Sequence, residues 1–402
     1  MYKIIIWGTG KYANLVIKSL DFRQCKVVAF VDSDSKKWGK KFEGIDIFSV
    51  DDIDNIEYDY LLIAIKECET VVTIARQKNF KSVITYKCNS FSWYDTGLVE
   101  EYERIIPERN ILKLRLDKID LMIKNLDFEY GNKKKQMLAA NDLLDKLLRD
   151  KISLTRFGDG ELELMALTER ALFQKKSYKL KKRLIEVFNS NEEKLEVALA
   201  DNFGSLDKYT EKAQTDIRLY IESARETGLT VIDWDREYYD AYVTRPYILY
   251  KDKTYAKVIF EKWKKLWEKR NVLLIEGKYV RSGVGNDLFN GAKSVRRIIC
   301  PAKNAFEKYD EILNAILDLA EKDDLILISL GPTATVLAYD VYKAGYQAID
   351  FGQLDNEYEW FKQGALERAK INNKGVPELY MEPDDEDFVD EKYINEIVRV
   401  VK

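Results

Sequence analysis

The chain of 402 residues contains no histidine. That excludes Ser-His-Asp and Cys-His catalytic sets, His-ligated zinc and imidazole general bases. Acid–base chemistry falls to Asp, Glu, Lys or Tyr. Metal ligands are then oxygens, which favours Mg²⁺ or Mn²⁺ over zinc. Cysteine is scarce too. Cys25, Cys68, Cys88 and Cys300 are scattered without paired spacing, and they read as reduced packing residues suited to a reducing cytoplasm. No apolar stretch approaches the roughly 20 residues that a membrane span requires. Met1 leads straight into a strand-like run, so no signal peptide is expected. An excess of one charge is also missing. With 65 basic and 69 acidic residues the net charge is -4, which argues against a generic nucleic-acid binder. Basic runs such as Lys133-Lys134-Lys135 and Lys175-Lys176 read as solvated helix faces. There is no internal repeat and no low-complexity segment.

What is present is ordinary globular material. Hydrophobic residues make up 46% of the chain, ample for a core, and the length suits two or three domains. Residues 1–95 read as a small Rossmann-like unit. Apolar strands are expected at 3–7, 25–31, 60–65 and 82–86, alternating with helical segments, hence a parallel sheet. Gly8-Thr9-Gly10-Lys11-Tyr12-Ala13 follows the first strand. Gly8 and Gly10 could seat a pyrophosphate on a helix N-terminus, with Asp32 placed to meet a ribose hydroxyl. The alternative is a structural or partner-docking module, similar to the small N-terminal domains of several bacterial sugar-modifying enzymes.

Residues 96–130 read as a helical connector. Leu112, Leu116, Ile119, Ile123 and Leu126 alternate at spacings of four and three, a coiled-coil-like stripe about two heptads long. Packing against the chain's own larger domain is one reading, and a homodimer seam is the sharper alternative. From 131 to 402 the pattern is again α/β. A helix is expected at 137–148 and strands at 230–232, 272–275, 297–300 and 325–330, with helices at 253–269 and 305–321 between them. This is a second, larger, doubly wound domain, whose ligands should sit at the carboxyl ends of its strands.

Four motifs fall at such ends. Thr155-Arg156-Phe157-Gly158-Asp159-Gly160-Glu161 sets two carboxylates two residues apart on a Gly-flanked turn. Asp159 and Glu161 so placed suit a hard divalent cation that also holds a diphosphate. After 272–275 comes a loop with Arg281, Gly283, Gly285, Asn286 and Asp287. Arg281 can fork onto phosphate oxygens, and the glycines let backbone N–H groups face an anion; the plain alternative is a glycine turn. After 325–330, Gly331-Pro332-Thr333-Ala334-Thr335 opens a helix whose N-terminus would favour phosphate, or is merely capped. After 348–350, Gln353-Leu354-Asp355-Asn356-Glu357-Tyr358-Glu359-Trp360 mixes carboxylates with aromatics, as a sugar site does, or as an acidic helix start does. Arg245-Pro246-Tyr247 could add an Arg near a diphosphate, and Phe173-Gln174 could line the site.

Taken in order, these pieces resemble the bacterial GT-D-type glycosyltransferases, which extend glycans on serine-rich-repeat adhesins and occur in surface-polysaccharide pathways. The resemblance covers about 131–402. It rests on Arg156-Phe-Gly-Asp-Gly-Glu161, Thr244-Arg-Pro-Tyr247, Gly283-Val-Gly-Asn-Asp-Leu-Phe289 after Glu276-Gly277, Ile299-Cys-Pro-Ala-Lys-Asn-Ala-Phe306, Leu330-Gly-Pro-Thr-Ala-Thr335 and Glu357-Tyr-Glu-Trp360. It implies metal-dependent transfer from a UDP-sugar, a UDP-hexose first, to a glycan or glycoprotein acceptor, with Asp159 and Glu161 at Mn²⁺ or Mg²⁺. Near Gln353 the family pattern carries a histidine; Gln353 can hydrogen-bond but cannot titrate. On this reading Arg156, Arg245 and Arg281 face the diphosphate. Gly283, Gly285, Asn286, Gly331, Thr333 and Thr335 hold phosphate or nucleoside. Glu357 is the first choice for the base that deprotonates the acceptor, followed by Glu359 and Asp287. The expected location is cytoplasmic, with peripheral association at the inner membrane face left open. The competing readings are an NAD-dependent nucleotide-sugar oxidoreductase run by the N-terminal turn, and a non-catalytic scaffold of a glycan-assembly complex.

Overall fold

The structure is a computed structural model. It describes residues 1–53, 56–65, 71, 74, 75, 78, 80, 83–87, 90, 91, 108–167, 174–376 and 390–402. The chain forms two compact units, Met1–Lys124 and Asn125–Lys402.

The first unit comprises β1 (Tyr2–Trp7), α1 (Lys11–Ser19), β2 (Cys25–Val31), β3 (Lys41–Phe42), β4 (Ile45–Phe48), β5 (Tyr60–Ile63), β6 (Val83–Lys87) and β7 (Ser90–Phe91). Its sheet runs β3-β4-β2-β1-β5-β6-β7. The central strands pair in parallel, as the alternation of apolar strands with helix predicts. The β3–β4 hairpin was not legible. Its two-residue turn holds Glu43 and Gly44 at positive φ, 50° and 81°, a conformation that an Asn-Gly or Asp-Gly pair would have signalled.

Helix α2 (Glu108–Glu129) follows, and the boundary between the units falls within it. Residues 96–107 of the expected connector lie outside the described residues. The larger unit continues with α3 (Ala140–Asp150), β8 (Ser153–Phe157), α4 (Asp159–Ala166), α5 (Tyr178–Phe188), β9 (Leu195–Leu199), α6 (Glu211–Ala224) and β10 (Tyr239–Asp240). Then come α7 (Thr254–Trp267), β11 (Asn271–Gly277), β12 (Ser294–Cys300), α8 (Tyr309–Leu319), β13 (Leu325–Ser329), α9 (Pro332–Lys343), β14 (Gln347–Asp350), α10 (Leu354–Gln363), α11 (Glu391–Glu396) and β15 (Ile397–Val400).

Its sheet runs β10-β9-β8-β14-β13-β11-β12-β15, with each pairing parallel. Parallel strands covered on both faces read as continuous apolar runs, and β11 is buried from Val272 to Gly277. One core cluster covers each face. In the second, α3 buries Ala140, Leu143, Leu144 and Leu147, the i, i+3, i+4, i+7 pattern of an amphipathic helix. The indole N–H of Trp263 donates to the Val243 carbonyl and that of Trp267 to the Leu288 carbonyl, both at 2.9 Å.

The strand expected at 230–232 is instead a 3₁₀ turn, Gly228–Val231. Gly228 lies against α4, where an added Cβ would sit 3.2 Å from the Leu162 carbonyl oxygen. The β-branched run Thr230-Val231-Ile232 therefore passes along a helix and does not reach the sheet. Helix expectations at 137–148 and 305–321 start too early. The helices begin at Ala140 and, after a 3₁₀ turn over Ala305–Lys308, at Tyr309.

Candidate active site

Strand β8 and its neighbours β9 and β14 present their carboxyl ends together, so Gly158, Ala200 and Phe351 open on one edge of the sheet. In a doubly wound sheet this is where ligands bind. Asp159 is the first residue of α4 and is exposed. Glu161, at the third helical position, folds back so that its Oε2 accepts the Gly158 N–H at 2.8 Å. Gly158 has no side chain to complete a capping box, so the Glu161 carboxyl alone caps the helix start, at the positive end of the helix dipole. Burial pushes the Glu161 carboxyl up to about 7, and the charge of Asp350 adds to the shift. The turn is thus a pocket of negative potential, in which an ionised Glu161 would favour a cation.

Asp350, 3% exposed, organises the floor. Its Oδ1 accepts from Arg156 Nη2 at 2.7 Å, and its backbone carbonyl from Arg156 Nε at 2.9 Å. Its Oδ2 accepts from the Thr335 hydroxyl at 3.2 Å. Arg156 Nη1 reaches the Ala241 carbonyl at 3.3 Å. Arg156, expected at the diphosphate, is here bonded within the protein. Its guanidinium is committed to the protein and ties β8 to β14 and to the segment after β10. Gly352 makes this possible: its φ is +55°, and a Cβ there would lie 2.1 Å from Arg156 Nη2.

Gly331 ends β13 with φ 54° and ψ -143°, a region open essentially to glycine. Pro332 then starts α9. Thr333 and Thr335 are both buried. Thr333 donates to Gln174 Oε1 at 3.3 Å, which also accepts the Phe306 N–H at 3.0 Å. Both threonine hydroxyls, expected to meet nucleotide, thus bond within the scaffold of the site. Gln174 holds together two loops at the strand ends; Phe173 lies outside the described residues.

In the loop after β11 the N–H groups of Ser282 and Gly283 face protein carboxylates. Gly283 N–H and Asn286 Nδ2 both donate to Asp355 Oδ1 at 2.8 Å. Asn286 Nδ2 also reaches Glu359 Oε1 at 2.7 Å. Lys374, 2% exposed, completes the network with Asp355 Oδ2 at 2.6 Å and Glu359 Oε1 at 2.8 Å. Gly283 is needed for packing, since a Cβ there would stand 2.5 Å from the Phe289 ring, while Gly285, φ +76°, serves the turn in open space. Arg281 is buried and donates to the Asn373 carbonyl at 2.8 Å, so it braces the loop. The outer side of the loop borders a cleft of about 420 Å³ that also takes in Arg297, Lys362 and Tyr393.

The three candidate bases each have partners within the protein. Glu357, 1% exposed, accepts the N–H groups of Tyr247 and Ile248, both at 2.9 Å. It anchors the turn after Arg245, which is itself half-buried beside Tyr242 and Glu357. Glu359 is held by Asn286 and Lys374. Asp287 accepts from Lys264 at 2.7 Å and from the Tyr358 hydroxyl at 2.8 Å, and Lys264 holds its carboxyl well below the usual carboxylate range. A carboxylate so stabilised is a poor proton acceptor.

Residues missed from the sequence stand on the other side of Asp159. Asp201 and Asn202 follow the end of β9. Tyr242 donates its hydroxyl to Asn202 Oδ1 at 2.7 Å, and burial, with Asp159 nearby, raises its pKa above the ordinary tyrosine value. Asp201 pairs with Lys208. The sequence signal was the apolar run Leu195-Glu196-Val197-Ala198-Leu199-Ala200 leading into Asp201-Asn202, another strand end with polar residues.

In the N-terminal unit, Gly8 is demanded by packing, since a Cβ there would meet the Ala64 carbonyl oxygen at 2.8 Å. Gly10 caps α1 in open space. Asp32 accepts from Thr9, from the Asp34 N–H at 3.0 Å and from Lys37 at 2.9 Å. These internal partners occupy the carboxylate expected to meet a ribose.

The parallel, doubly wound sheet thus carries an acidic turn at the carboxyl end of β8. The chain belongs to the glycosyltransferase GT-D fold family, whose model matches residues 154–379, more than half of its length. Residues 1–85 match a second model, C2185-like, N-terminal. Among curated relatives, the probable glycosyl transferase Gly of Streptococcus gordonii is 39% identical over 266 residues, covering 65% of this chain and 38% of the relative. Glycosyltransferase GlyD of Streptococcus pneumoniae serotype 4 is 37% identical over 298 residues, covering 73% of this chain and 35% of the relative. The chain thus spans little more than a third of the length of these curated relatives. A solved domain of unknown function 1792, described as having a distinct glycosyltransferase fold, aligns with TM-score 0.64 at 37% identity, covering 71% of this chain and 100% of that one. A glycosyltransferase with this domain from Streptococcus sanguinis aligns with TM-score 0.62 at 38% identity, covering 66% of this chain and 100% of that one.

Proposed function

We propose that the chain transfers a sugar, a hexose first, from a UDP-sugar to a glycan or glycoprotein acceptor in surface-glycan biosynthesis. The observation that carries this is the exposed carboxylate of Asp159 beside Glu161 at the end of β8, within a GT-D frame. The donor set is all oxygen, which suits Mn²⁺ or Mg²⁺. Among the described residues no group of three or more His, Cys, Asp or Glu could hold a metal. Asp159 and Glu161 would therefore share the cation with the donor diphosphate and water, as Mg²⁺ sites commonly do. When bound, the cation neutralises the charge that develops on the leaving diphosphate.

The chain's own residues do the positioning. Arg156 and Thr335 fix Asp350, and Asp350 sets the potential around Glu161. Glu357 holds the turn that carries Arg245 in place. Asp355, Glu359 and Lys374 keep the loop from Arg281 to Asp287 rigid. Among the described residues no helix is long and apolar enough to cross a membrane. Burial pushes the Cys25 thiol up to about 11 and Cys300 up to about 12, so neither offers a reactive thiolate.

The test is calorimetric titration with UDP, with and without Mn²⁺, on the wild type and Asp159→Ala. Metal-dependent binding lost in the variant supports the reading, and no UDP binding under either condition sinks it. A pH series adds a second check. The folded Glu161 holds its proton up to about pH 7, whereas an unfolded glutamate loses it near its ordinary value. Its ionisation therefore costs stability as pH rises from about 4.5 through 7. A cation needs the carboxylate, so metal affinity should rise over the same window, by up to about tenfold per pH unit below 7. Glu161→Gln should flatten that rise; a wild-type profile in the variant removes Glu161 from the metal.

One oxygen of Glu357, Oε2, accepts both N–H groups, so the amide oxygen of Glu357→Gln can take its place but without the charge. A stability loss of about 1–3 kcal/mol is expected in urea unfolding, with initial transfer rates changed less than a few-fold. A large fall in kcat at full folding would return Glu357 to the role of base.

A further inference from the structure

Helix α10 gathers two arginines beside one of its faces. Gln353, Glu357 and Trp360 follow at spacings of four and three, which share a helix face. The Glu357 N–H donates to the Gln353 carbonyl at 3.1 Å, so the helical turn reaches back to Gln353. Two loops are tied to this face. Glu357 Oε2 accepts the Tyr247 and Ile248 N–H groups, both at 2.9 Å. The Trp360 indole donates to the Ala369 carbonyl, also at 2.9 Å. Arg245 stands two residues before the first anchor and Arg368 one residue before the second. The anchors are about 4.5 Å apart along the helix axis. Burial raises the Glu357 pKa and the charges of Arg245 and Arg368 oppose that rise, so both guanidinium groups stand near the one carboxylate.

The protein does not use up all of these polar groups. Arg368 and Gln353 are half-buried, yet Arg368 Nε and Gln353 Oε1 are shut in without a hydrogen-bond partner among the described residues. Buried polar atoms are nearly always paired, so two orphans beside one helix face point to partners from outside the chain. Lys253 differs. Its ammonium is spent on the Tyr247 and Ile248 carbonyls at 2.7 and 3.1 Å. Arg156 differs too, its guanidinium being held by Asp350 and Ala241. The two orphans set the chemistry of the outside partner. A guanidinium N–H seeks an oxyanion, and an amide oxygen seeks a hydroxyl donor. The face also adjoins the acidic turn. Gln353 lies three residues past Asp350 at the end of β14, which pairs with β8.

We propose that Arg245 and Arg368 form an oxyanion subsite beside the acidic turn, with Gln353 accepting a hydroxyl of the same ligand. Two sources present such an oxyanion: the diphosphate of the donor, and the phosphate or carboxylate of an acidic sugar. Each offers the paired oxygens that a guanidinium fork matches. A ligand that draws Arg368 and Gln353 outward pairs both orphaned atoms. The first source rests on the UDP-sugar reading above; the second does not.

The full chain is titrated calorimetrically with UDP plus Mn²⁺, with glucuronate and with glucose-6-phosphate. The wild type is compared with Arg368→Met, which keeps an apolar stem and loses every donor. The wild type should bind at least one of these anions. The variant should bind it about tenfold or more weakly, the scale of one charge-assisted hydrogen bond. Arg368→Lys keeps the charge without the fork and should fall between the two. The urea midpoints of both variants should match the wild type, because Arg368 Nε holds no partner among the described residues. Weakened UDP binding assigns the diphosphate. Weakened binding of either acidic sugar, with UDP unchanged, assigns an acidic sugar. An acidic sugar bound through Arg368 by a chain that never binds UDP ends the donor reading and leaves the subsite standing. Equal affinities in the wild type and Arg368→Met overturn the subsite, and the donor reading survives where UDP is among the ligands bound. A variant that loses stability while every affinity holds makes Arg368 structural and overturns the subsite as well. A wild type that binds none of the three overturns both.

Discussion

Asp159→Asn is expected to lower sugar transfer by roughly 10²–10³-fold, the usual cost of losing one preorganised electrostatic contact to developing charge. The melting transition should move little. Asp159 is exposed and opens α4, where its charge contributes only about 0.3–1 kcal/mol through the helix dipole. Glu161 keeps the capping contact to the Gly158 N–H in the variant. The decisive measurement is kcat and the Mn²⁺ concentration for half-activation, taken together. A rate loss with weakened metal dependence assigns Asp159 to the cation. A variant with unchanged rate and metal response would show that the cation, if used, sits elsewhere.

The second large effect is on stability. Arg156→Met should destabilise the larger unit by about 3–5 kcal/mol, because it strands a buried carboxylate. Asp350 is 3% exposed, and Arg156 supplies its closest side-chain partner, at 2.7 Å. That is a large fraction of the roughly 5–15 kcal/mol that holds a domain together. The double variant Arg156→Met/Asp350→Asn should recover much of the loss, because the orphaned charge is gone. Urea unfolding of the wild type, both single variants and the double variant closes the cycle. If Arg156→Met alone costs under about 1 kcal/mol, the guanidinium is not bracing the strand ends, and its place as a diphosphate ligand reopens.

Much of the architecture was readable because parallel strands announce themselves. The runs Val272-Leu273-Leu274-Ile275 and Leu325-Ile326-Leu327-Ile328 are apolar on both faces, a pattern that follows from burial between two helical layers. Short strands carried no such mark. β10 has two residues and β15 lies on an edge with Val398 and Val400 exposed, so neither had enough buried length to stand out. At 230–232 the β-branched run gave the wrong answer, because neighbouring helix α4 decided where that segment could pass.

The candidate site was legible in part for a related reason. Gly158-Asp159-Gly160-Glu161 is local, since the Glu161 carboxyl reaches back three residues to the Gly158 N–H and its logic can be read along the chain. The roles of Arg156, Arg281, Asp287, Glu357 and Glu359 were not local. Each depends on a partner far off in sequence: Asp350 for Arg156, the Tyr247 and Ile248 N–H groups for Glu357, Lys374 for Glu359.

The sequence by itself determined the doubly wound class, the placing of an acidic turn at a strand end, the absence of histidine chemistry and the heptad row on α2. Those follow from composition and from the 2.0 and 3.6 periodicities that backbone geometry imposes. Only the tertiary structure decided which charged groups are spent on the protein and which stand at the surface. A charge taken out of water must find a counter-charge or N–H donors wherever the fold brings them. That pairing left Asp159 facing solvent and closed the guanidinium of Arg156 and the carboxylate of Glu357 inside the scaffold.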